Sequence, residues 1–344
     1  MKLVYLLGTT GDWGGLEKHA FEVAGAMAAR GHEVIMLADE SYRARCAPGV
    51  VLHPFRWGAS RNNPLLWWRL RRALRALAPD VVHAQADKAV AILGRAGWPP
   101  GSAAIGTVHN VKSGYGAYRR LDAVIAVSRA IGDAVGHPQV HVVYNGVREQ
   151  PPDAAAVAEL RAWRAAQPGP LLLAIGRLVP AKGFDLLLQA WPADAAATLV
   201  VLGEGKQRPE LEAIVAGRGL SHVHLPGNSA QVREWMAVAD LLLISSRNEG
   251  GPYTLAEALL AGLPVAGTDV GMVPDFLPPF CRVPAGDVAR LRTLVAAVIA
   301  DPLAFRAACA PAMDAARAQL TLAAMMDATE SVYLAVRARH GGGR

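Results

Sequence analysis

Short apolar, β-branched runs alternate with helical patterns twice over along this chain, and one polar, proline-dotted break separates the two series. The first series comprises Lys2 to Leu7, a helix from about Leu16 to Arg30, Glu33 to Leu37, a helix over Leu65 to Leu77, and Val81 to His83. Ala104 to Val108, Ala123 to Val127 and His141 to Tyr144 follow. The second restarts at Leu171 to Ile175 and proceeds through a helix over Phe184 to Ala190, Thr198 to Leu202, a helix over Pro209 to Ala216, and His222 to Leu225. It closes with Leu241 to Ile244, a helix over Leu255 to Ala261, and Pro264 to Ala266. Strands separated by helices need crossover connections, so each series predicts βαβ units and a parallel sheet. Pro151-Pro152 and Gln167-Pro168-Gly169-Pro170 bracket the break. The expected organisation is α/β, with Rossmann-like doubly wound domains over 1–150 and 171–321 and a linker over 151–170. A length of 344 residues agrees with two domains of ~100–200 each.

Composition narrows the class. With 52% hydrophobic and 19% charged residues, the chain is neither disordered nor a coiled coil. The net charge of +6 invites nucleic acid or an anionic membrane as partner. Yet 29 arginines stand against six lysines amid abundant Ala and Gly, which a GC-rich bacterial genome explains, so the placement of the cations matters more than their number. The N-terminal apolar run is about five residues long before Gly8, far short of a signal-peptide core or a membrane span, and a cytoplasmic location is expected. Cys46, Cys281 and Cys309 are too few and too scattered for a disulfide framework or a zinc site, and read as buried or incidental thiols.

Three strand-to-helix turns carry chemistry. The first, Gly8-Thr9-Thr10-Gly11-Asp12-Trp13-Gly14-Gly15-Leu16-Glu17-Lys18-His19, lets backbone amides approach an anion at a helix N-terminus. Asp39 ends the second strand, so a dinucleotide-binding reading stands beside anion or sugar binding, although the glycine spacing is not G-x-G-x-x-G. A merely structural turn is the third reading. The second turn, Gly176-Arg177-Leu178-Val179-Pro180-Ala181-Lys182-Gly183, places two cations at the carboxyl edge of a parallel sheet, where a diphosphate would lie. Two solvated surface cations would look the same. The third turn, Asn248-Glu249-Gly250-Gly251-Pro252-Tyr253-Thr254-Leu255-Ala256-Glu257, puts Glu249 in the loop and Glu257 about one turn into the helix, beside an N-terminus suited to an anion.

Glu249 and Glu257 form an E-x7-E element, and with the downstream Gly262-Leu263-Pro264-Val265 and Thr268-Asp269-Val270-Gly271 runs it resembles the donor-site signature of retaining GT-B glycosyltransferases of family 4. The likeness extends in order over nearly the whole chain, through Gly14-Gly15-Leu16-Glu17, Tyr144-Asn145-Gly146-Val147, Gly176-Arg177 with Lys182-Gly183, and Leu202-Gly203-Glu204-Gly205. It implies two domains facing a central cleft, with a last helix over 322–340 crossing back onto the first, and a nucleotide-diphospho-sugar as donor substrate, a UDP-sugar first and a GDP-sugar next. Arg177 and Lys182 would neutralise the leaving diphosphate, Glu249 would bond the donor sugar and Glu257 the ribose. Gly250, Gly251, Tyr253 and Thr254 would assist the phosphate, Gly176 and Gly203 belong to the same donor site, and the backbone near Pro226 and Gly227 would meet the base. Gly14 and Gly15 would close over the diphosphate and sugar, and His109 would stand beside the reacting sugar; a satisfied strand-end histidine is the plainer reading of His109. The resemblance does not make either glutamate a covalent nucleophile; same-face attack with a diphosphate oxygen as base is expected. No metal and no other cofactor is implied. Gly251 replaces the phenylalanine usual at this point of the family's element, while Pro252 is retained, which leaves the donor sugar open. Asp12-Trp13 before the glycine pair is unusual as well, and Trp13 would stack on a sugar or pack in the cleft.

The acceptor side has its own signal. Arg69, Arg71, Arg72 and Arg75 with Trp67 and Trp68 lie on the Leu65 to Leu77 helix, whose buried stripe is expected to be Leu66, Leu70, Leu74 and Leu77. Such a face suits an anionic bilayer or a phosphorylated lipid acceptor at the inner face of the plasma membrane, and equally an ordinary amphipathic helix in an Arg-biased proteome. The leading expectation is transfer to a glycan or lipid-linked acceptor in bacterial surface polysaccharide or lipopolysaccharide assembly, with no nucleic-acid partner. A sugar-nucleotide epimerase on the same fold, or an Arg-rich nucleic-acid or membrane binder without catalysis, are the alternatives.

Overall fold

The computed structural model describes residues 1–10 and 13–341, so Gly11 and Asp12 of the first turn and the terminal Gly342 to Arg344 lie outside the described residues. The chain divides into two compact units, one of residues 1–144 together with the segment from Ala323 onward, the other of residues 145–322.

The first unit runs β1 (Lys2–Leu7), α1 (Gly15–Ala29), β2 (Glu33–Ala38), β3 (Val50–Pro54), α2 (Pro64–Leu77), β4 (Val81–Gln85), α3 (Ala86–Ala96), β5 (Ala103–Val108), β6 (Ala123–Ala126), α4 (Arg129–Val135) and β7 (Val140–Val142). All seven strands are parallel, in the order β3-β2-β1-β4-β5-β6-β7. The central strands are buried at every position but Lys2, as helices on both faces of a parallel sheet require. Asn63 caps α2 by accepting the Leu65 amide at 2.9 Å, and Pro64 opens it. Only Leu66, Leu70 and Leu74 of the expected stripe are buried on α2. Leu77, the remaining member of the stripe, lies in the last turn and is half-buried.

The second unit runs α5 (Ala154–Ala165), β8 (Leu171–Ile175), α6 (Phe184–Ala190), β9 (Thr198–Leu202), α7 (Arg208–Gly217), β10 (Val223–Gly227), α8 (Val232–Val238), β11 (Leu241–Ile244), α9 (Tyr253–Leu260), β12 (Val265–Thr268), α10 (Val273–Phe276), β13 (Arg282–Val283), α11 (Val288–Ala300) and α12 (Pro302–Gln319). Its six strands are also parallel, ordered β10-β9-β8-β11-β12-β13. The stretch expected as a linker is therefore largely helix: Asp153 caps α5 by accepting the Ala156 amide at 2.9 Å, and α5 packs on α8. Cys281 and Cys309 are buried with their Sγ atoms 3.8 Å apart, a proximity their spacing did not announce.

The last helix, α13 (Leu322–Gly341), belongs almost wholly to the first unit. Arg30 bonds Asp327 at 2.6 Å and Glu330 at 2.9 Å, Arg337 bonds Asp80 at 2.8 Å, and the buried Tyr333 hydroxyl meets the Tyr5 hydroxyl at 2.8 Å.

Candidate functional site

In an open parallel sheet, ligands lie beyond the carboxyl ends of the strands where the strand order reverses. In the second unit that point falls between β8 and β11, since β8 connects on one side toward β9 and β10 and its other neighbour is β11. The loop after β8 supplies Gly176, Arg177 and Lys182; the loop after β11 supplies Glu249, Gly250 and Gly251. Lys182 and Glu249, 67 residues apart, form a half-buried ion pair, and the Ser246 hydroxyl donates to the same Glu249 oxygen at 2.9 Å. Arg177 is exposed and, among the described residues, pairs with no carboxylate. The sheet thus leaves one cation engaged and one open on the same loop.

The two loops are stitched together beneath these groups. The Arg247 amide donates to the Ala181 carbonyl at 2.8 Å, and its guanidinium grips Asp185 at 2.7 and 2.6 Å; that fork holds the Asp185 carboxyl below the usual carboxylate range. The Ser245 hydroxyl donates to the Lys182 carbonyl at 3.0 Å. Gly183 has φ +65°, and a Cβ there would stand 2.1 Å from the Ser245 carbonyl oxygen, so the turn after Lys182 needs glycine for its conformation and for its space. From the start of the unit, the Asn145 amide donates to the Gly251 carbonyl at 2.6 Å and braces the loop that carries Glu249. Asn145, Ser246, Asp185 and Arg247 were not among the expected site residues.

Glu257 lies half-buried in α9, which opens at Tyr253 and Thr254 behind the capping Pro252. Gly203 follows β9, and Pro226 and Gly227 end β10, the next strands along the same carboxyl edge.

In the first unit, Gly14 caps α1 and Gly15 begins it, with the Glu17 carboxylate accepting the Gly14 amide at 3.0 Å. His109 follows β5, and its Nε2 meets Gln85 Oε1, at the end of β4, at 2.7 Å. The His19 ring lies edge-on to it with centroids 4.8 Å apart. Burial pushes His109 well below the ordinary histidine range, His19 down to about 4 and His83 down to about 3, so all three imidazoles are neutral at neutral pH.

Residues 169–301 match the family profile described as "Glycosyl transferases group 1", and residues 13–150 that of "Glycosyltransferase Family 4". The chain is 28% identical over 328 residues to the D-inositol 3-phosphate glycosyltransferase of Xylanimonas cellulosilytica, covering 76% of this chain and 77% of that one. With the enzyme of the same name from Jonesia denitrificans identity is 36%, over 39% of this chain and only 36% of the relative. The lipopolysaccharide core glycosyltransferase LpsE of Rhizobium meliloti is 23% identical across 75% of this chain and 76% of its own. Among solved structures, HepE from Anabaena in complex with UDP superposes with a TM-score of 0.80 at 19% identity, over 97% of this chain and all of that one. With both halves matched in order by these profiles and the whole chain by that fold, the protein belongs to the group 1, family 4 glycosyltransferases and has their GT-B architecture.

Proposed function

We propose that this glycosyltransferase moves a sugar, with retention, from a nucleoside-diphospho-sugar to a glycan or lipid-linked acceptor in bacterial surface polysaccharide or lipopolysaccharide assembly. A UDP-sugar is the favoured donor and a GDP-sugar the next. The observation that carries the donor assignment is the Lys182–Glu249 pair, with Arg177 open on the same loop, at the strand-order reversal of the second sheet. The UDP complex of HepE and the lipopolysaccharide role in the name of LpsE support the donor and pathway class.

Departure of the nucleoside diphosphate concentrates negative charge on its β-phosphate while the anomeric carbon becomes oxocarbenium-like. Arg177 and Lys182 would neutralise that charge, and the positive end of α9 would add to it through Tyr253, Thr254 and the Gly250-Gly251 backbone. Lys182 is held by Glu249 and would turn to the diphosphate as Glu249 takes up donor-sugar hydroxyls. Glu257 would hold the ribose, and Gly176, Gly203, Pro226 and Gly227 would line the nucleotide. In the first unit, Gly14 and Gly15 would serve the diphosphate and sugar, and neutral His109 would accept or donate one hydrogen bond at the reacting sugar. Donor binding is tested by thermal shift: the matching nucleotide sugar at a hundred times its Kd contributes about 2.7 kcal/mol and raises the melting temperature. No response to any UDP-, GDP- or ADP-sugar, nor to the free diphosphates, would overturn the assignment.

The acceptor-side proposal is contact with an anionic membrane surface at the cytoplasmic face. Helix α2 carries no acidic residue, and among the described residues none of Arg69, Arg71, Arg72 and Arg75 pairs with a carboxylate. Trp68 is 55% exposed beside Arg72, whose guanidinium lies 5.5 Å from the ring centroid, and together with Arg69, His53 and Phe55 they line an open groove of about 350 Å³. Trp67 is half-buried and donates to the Arg61 carbonyl at 2.8 Å, so Trp68 alone of the two is presented. Each arginine near an anionic surface contributes about 1 kcal/mol. Cosedimentation with phosphatidylglycerol vesicles is therefore expected for the wild type and lost in an Arg71→Glu, Arg72→Glu, Arg75→Glu triple variant. Equal binding of both proteins would remove α2 from the proposal.

A further inference from the structure

Behind His109 lies a buried train of polar groups that the reaction as described does not use. His83, on β4, has Nδ1 2.6 Å from the Tyr333 hydroxyl of α13 and Nε2 2.7 Å from the Thr107 hydroxyl of β5. The Gln85 side-chain nitrogen lies 3.4 Å from His83 Nε2, and its Oε1 meets His109 Nε2 at 2.7 Å. Tyr5, His83, Gln85, Thr107 and Tyr333 are all at most 2% exposed. A buried polar residue on a parallel strand is expensive unless every polar atom is satisfied, and here each is satisfied only by its neighbour in the train.

The chemistry of the groups gives the train a direction. A glutamine oxygen only accepts, so His109 must carry its proton on Nε2. The Gln85 amide nitrogen then faces His83 Nε2, which must be an acceptor and is also served by the Thr107 hydroxyl. His83 therefore carries its proton on Nδ1 and donates to Tyr333, which donates to Tyr5. The opposite arrangement needs concerted changes along the whole train: a flipped Gln85, a switched His83 tautomer, and reversed Tyr333, Tyr5 and Thr107 hydroxyls. The backbone at the junction is committed as well, because Ala86, directly after Gln85, sits at φ +67°, a conformation that residues with a side chain rarely adopt. Among the described residues His109 Nδ1 has no protein partner, so the fixed tautomer leaves it as an acceptor.

We propose that Gln85 is a positioning residue that locks His109 in the neutral Nε2–H tautomer, with His83 and Tyr333 of the last helix holding Gln85 in turn. This deepens the transferase reading, and its consequence for turnover rests on it: an Nδ1 lone pair accepts from a hydroxyl of the reacting sugar, whereas the other tautomer presents a proton there. The test uses the full-length protein with ¹⁵N-labelled histidine. Long-range ¹H–¹⁵N spectra, assigned with a His109→Gln variant, are expected to show the Nε2–H form of His109 in the wild type. Gln85→Leu, close in size but unable to accept, is expected to give mixed tautomers and a kcat lower by about tenfold to a hundredfold, with donor KM little changed. Tyr333→Phe, which keeps the packing and removes the hydroxyl's bonds to His83 and Tyr5, is expected to shift the His109 signals in the same direction by less. An Nδ1–H form in the wild type, or identical His109 signals in wild type and Gln85→Leu, would overturn the proposal. So would an unchanged kcat in a Gln85→Leu variant with altered signals. Failure of the donor reading shows separately, as the absence of thermal stabilisation by any nucleotide sugar, while the tautomer measurement needs no substrate.

Discussion

Turnover is expected to fall by a factor of about 10²–10³ when Lys182 is replaced by alanine, the loss usual for one group that stabilises charge developing in a transition state. Arg177→Ala should lower it sharply too, and Glu249→Ala should abolish transfer while the fold persists. The structure adds a ranking within this set. Arg177 is exposed and unpaired with any carboxylate among the described residues, so its removal breaks no ion pair and acts on the proposed diphosphate contact. Lys182 and Glu249 are half-buried against each other, so either alanine leaves a partly desolvated charge without its partner and should lower the melting temperature as well as kcat. Glu249→Gln separates the two effects: it still accepts from Ser246 and could still serve the proposed bond to sugar hydroxyls, but it no longer holds Lys182 by charge. Its kcat should lie between those of the wild type and Glu249→Ala. Steady-state kinetics beside melting curves decide the matter, and wild-type kcat in both Lys182→Ala and Glu249→Ala would remove this site from the mechanism.

Why these two residues were legible singly and not as a pair follows from what a sequence encodes locally. A cation two residues before the helix that follows β8, and a carboxylate before the helix that follows β11, are visible as residue types at strand-to-helix turns. Their meeting depends on β11 lying beside β8, a long-range property of strand order that no local pattern carries. The supports were hidden for a second reason. The strand expected to end at His83 continues through Gln85, because a polar residue in an apolar run reads as a strand end; here its amide is satisfied by His83 within the sheet and by His109 just beyond the end of β5. Helix α3 follows at once with no glycine or proline to mark it, the turn being made by Ala86 in the left-handed region. Strand β3 was missed because its apolar run is only Val50-Val51-Leu52 before His53 and Pro54, short enough to read as loop; it is an edge strand that leaves Val51 and His53 exposed. The proline-dotted break misled in the opposite sense, since Pro151-Pro152 precedes a capped helix instead of spanning a linker. The two sheets were legible because parallel strands buried on both faces must be continuous apolar runs.

The turn that joins Lys182 to α6 gives the other large expected effect. Gly183→Ala should destabilise the protein by more than the ~1–2 kcal/mol that a left-handed residue costs on its own, because the new methyl would also meet the Ser245 carbonyl oxygen at 2.1 Å. Neither contact partner is a flexible side-chain end; both are backbone, one in each of the loops that carry Lys182 and Glu249. Relief therefore requires those loops to part, which also strains the Ser245 hydroxyl bond to the Lys182 carbonyl and the Arg247 amide bond to Ala181. The folded fraction that survives should consequently have lost most of its turnover, since a misplacement of about 1 Å in a reacting group is enough to lower rates a hundredfold. Gly262→Ala is the matched control: Gly262, after α9, has a similar φ of +71° but nothing within 4 Å of the position a Cβ would take. It should show the backbone effect alone, a modest drop in melting temperature with kcat intact. The difference between the two variants in denaturant midpoint then measures the contact between the loops, and equal midpoints with equal kcat would mean that the two loops do not depend on that close approach to hold the site.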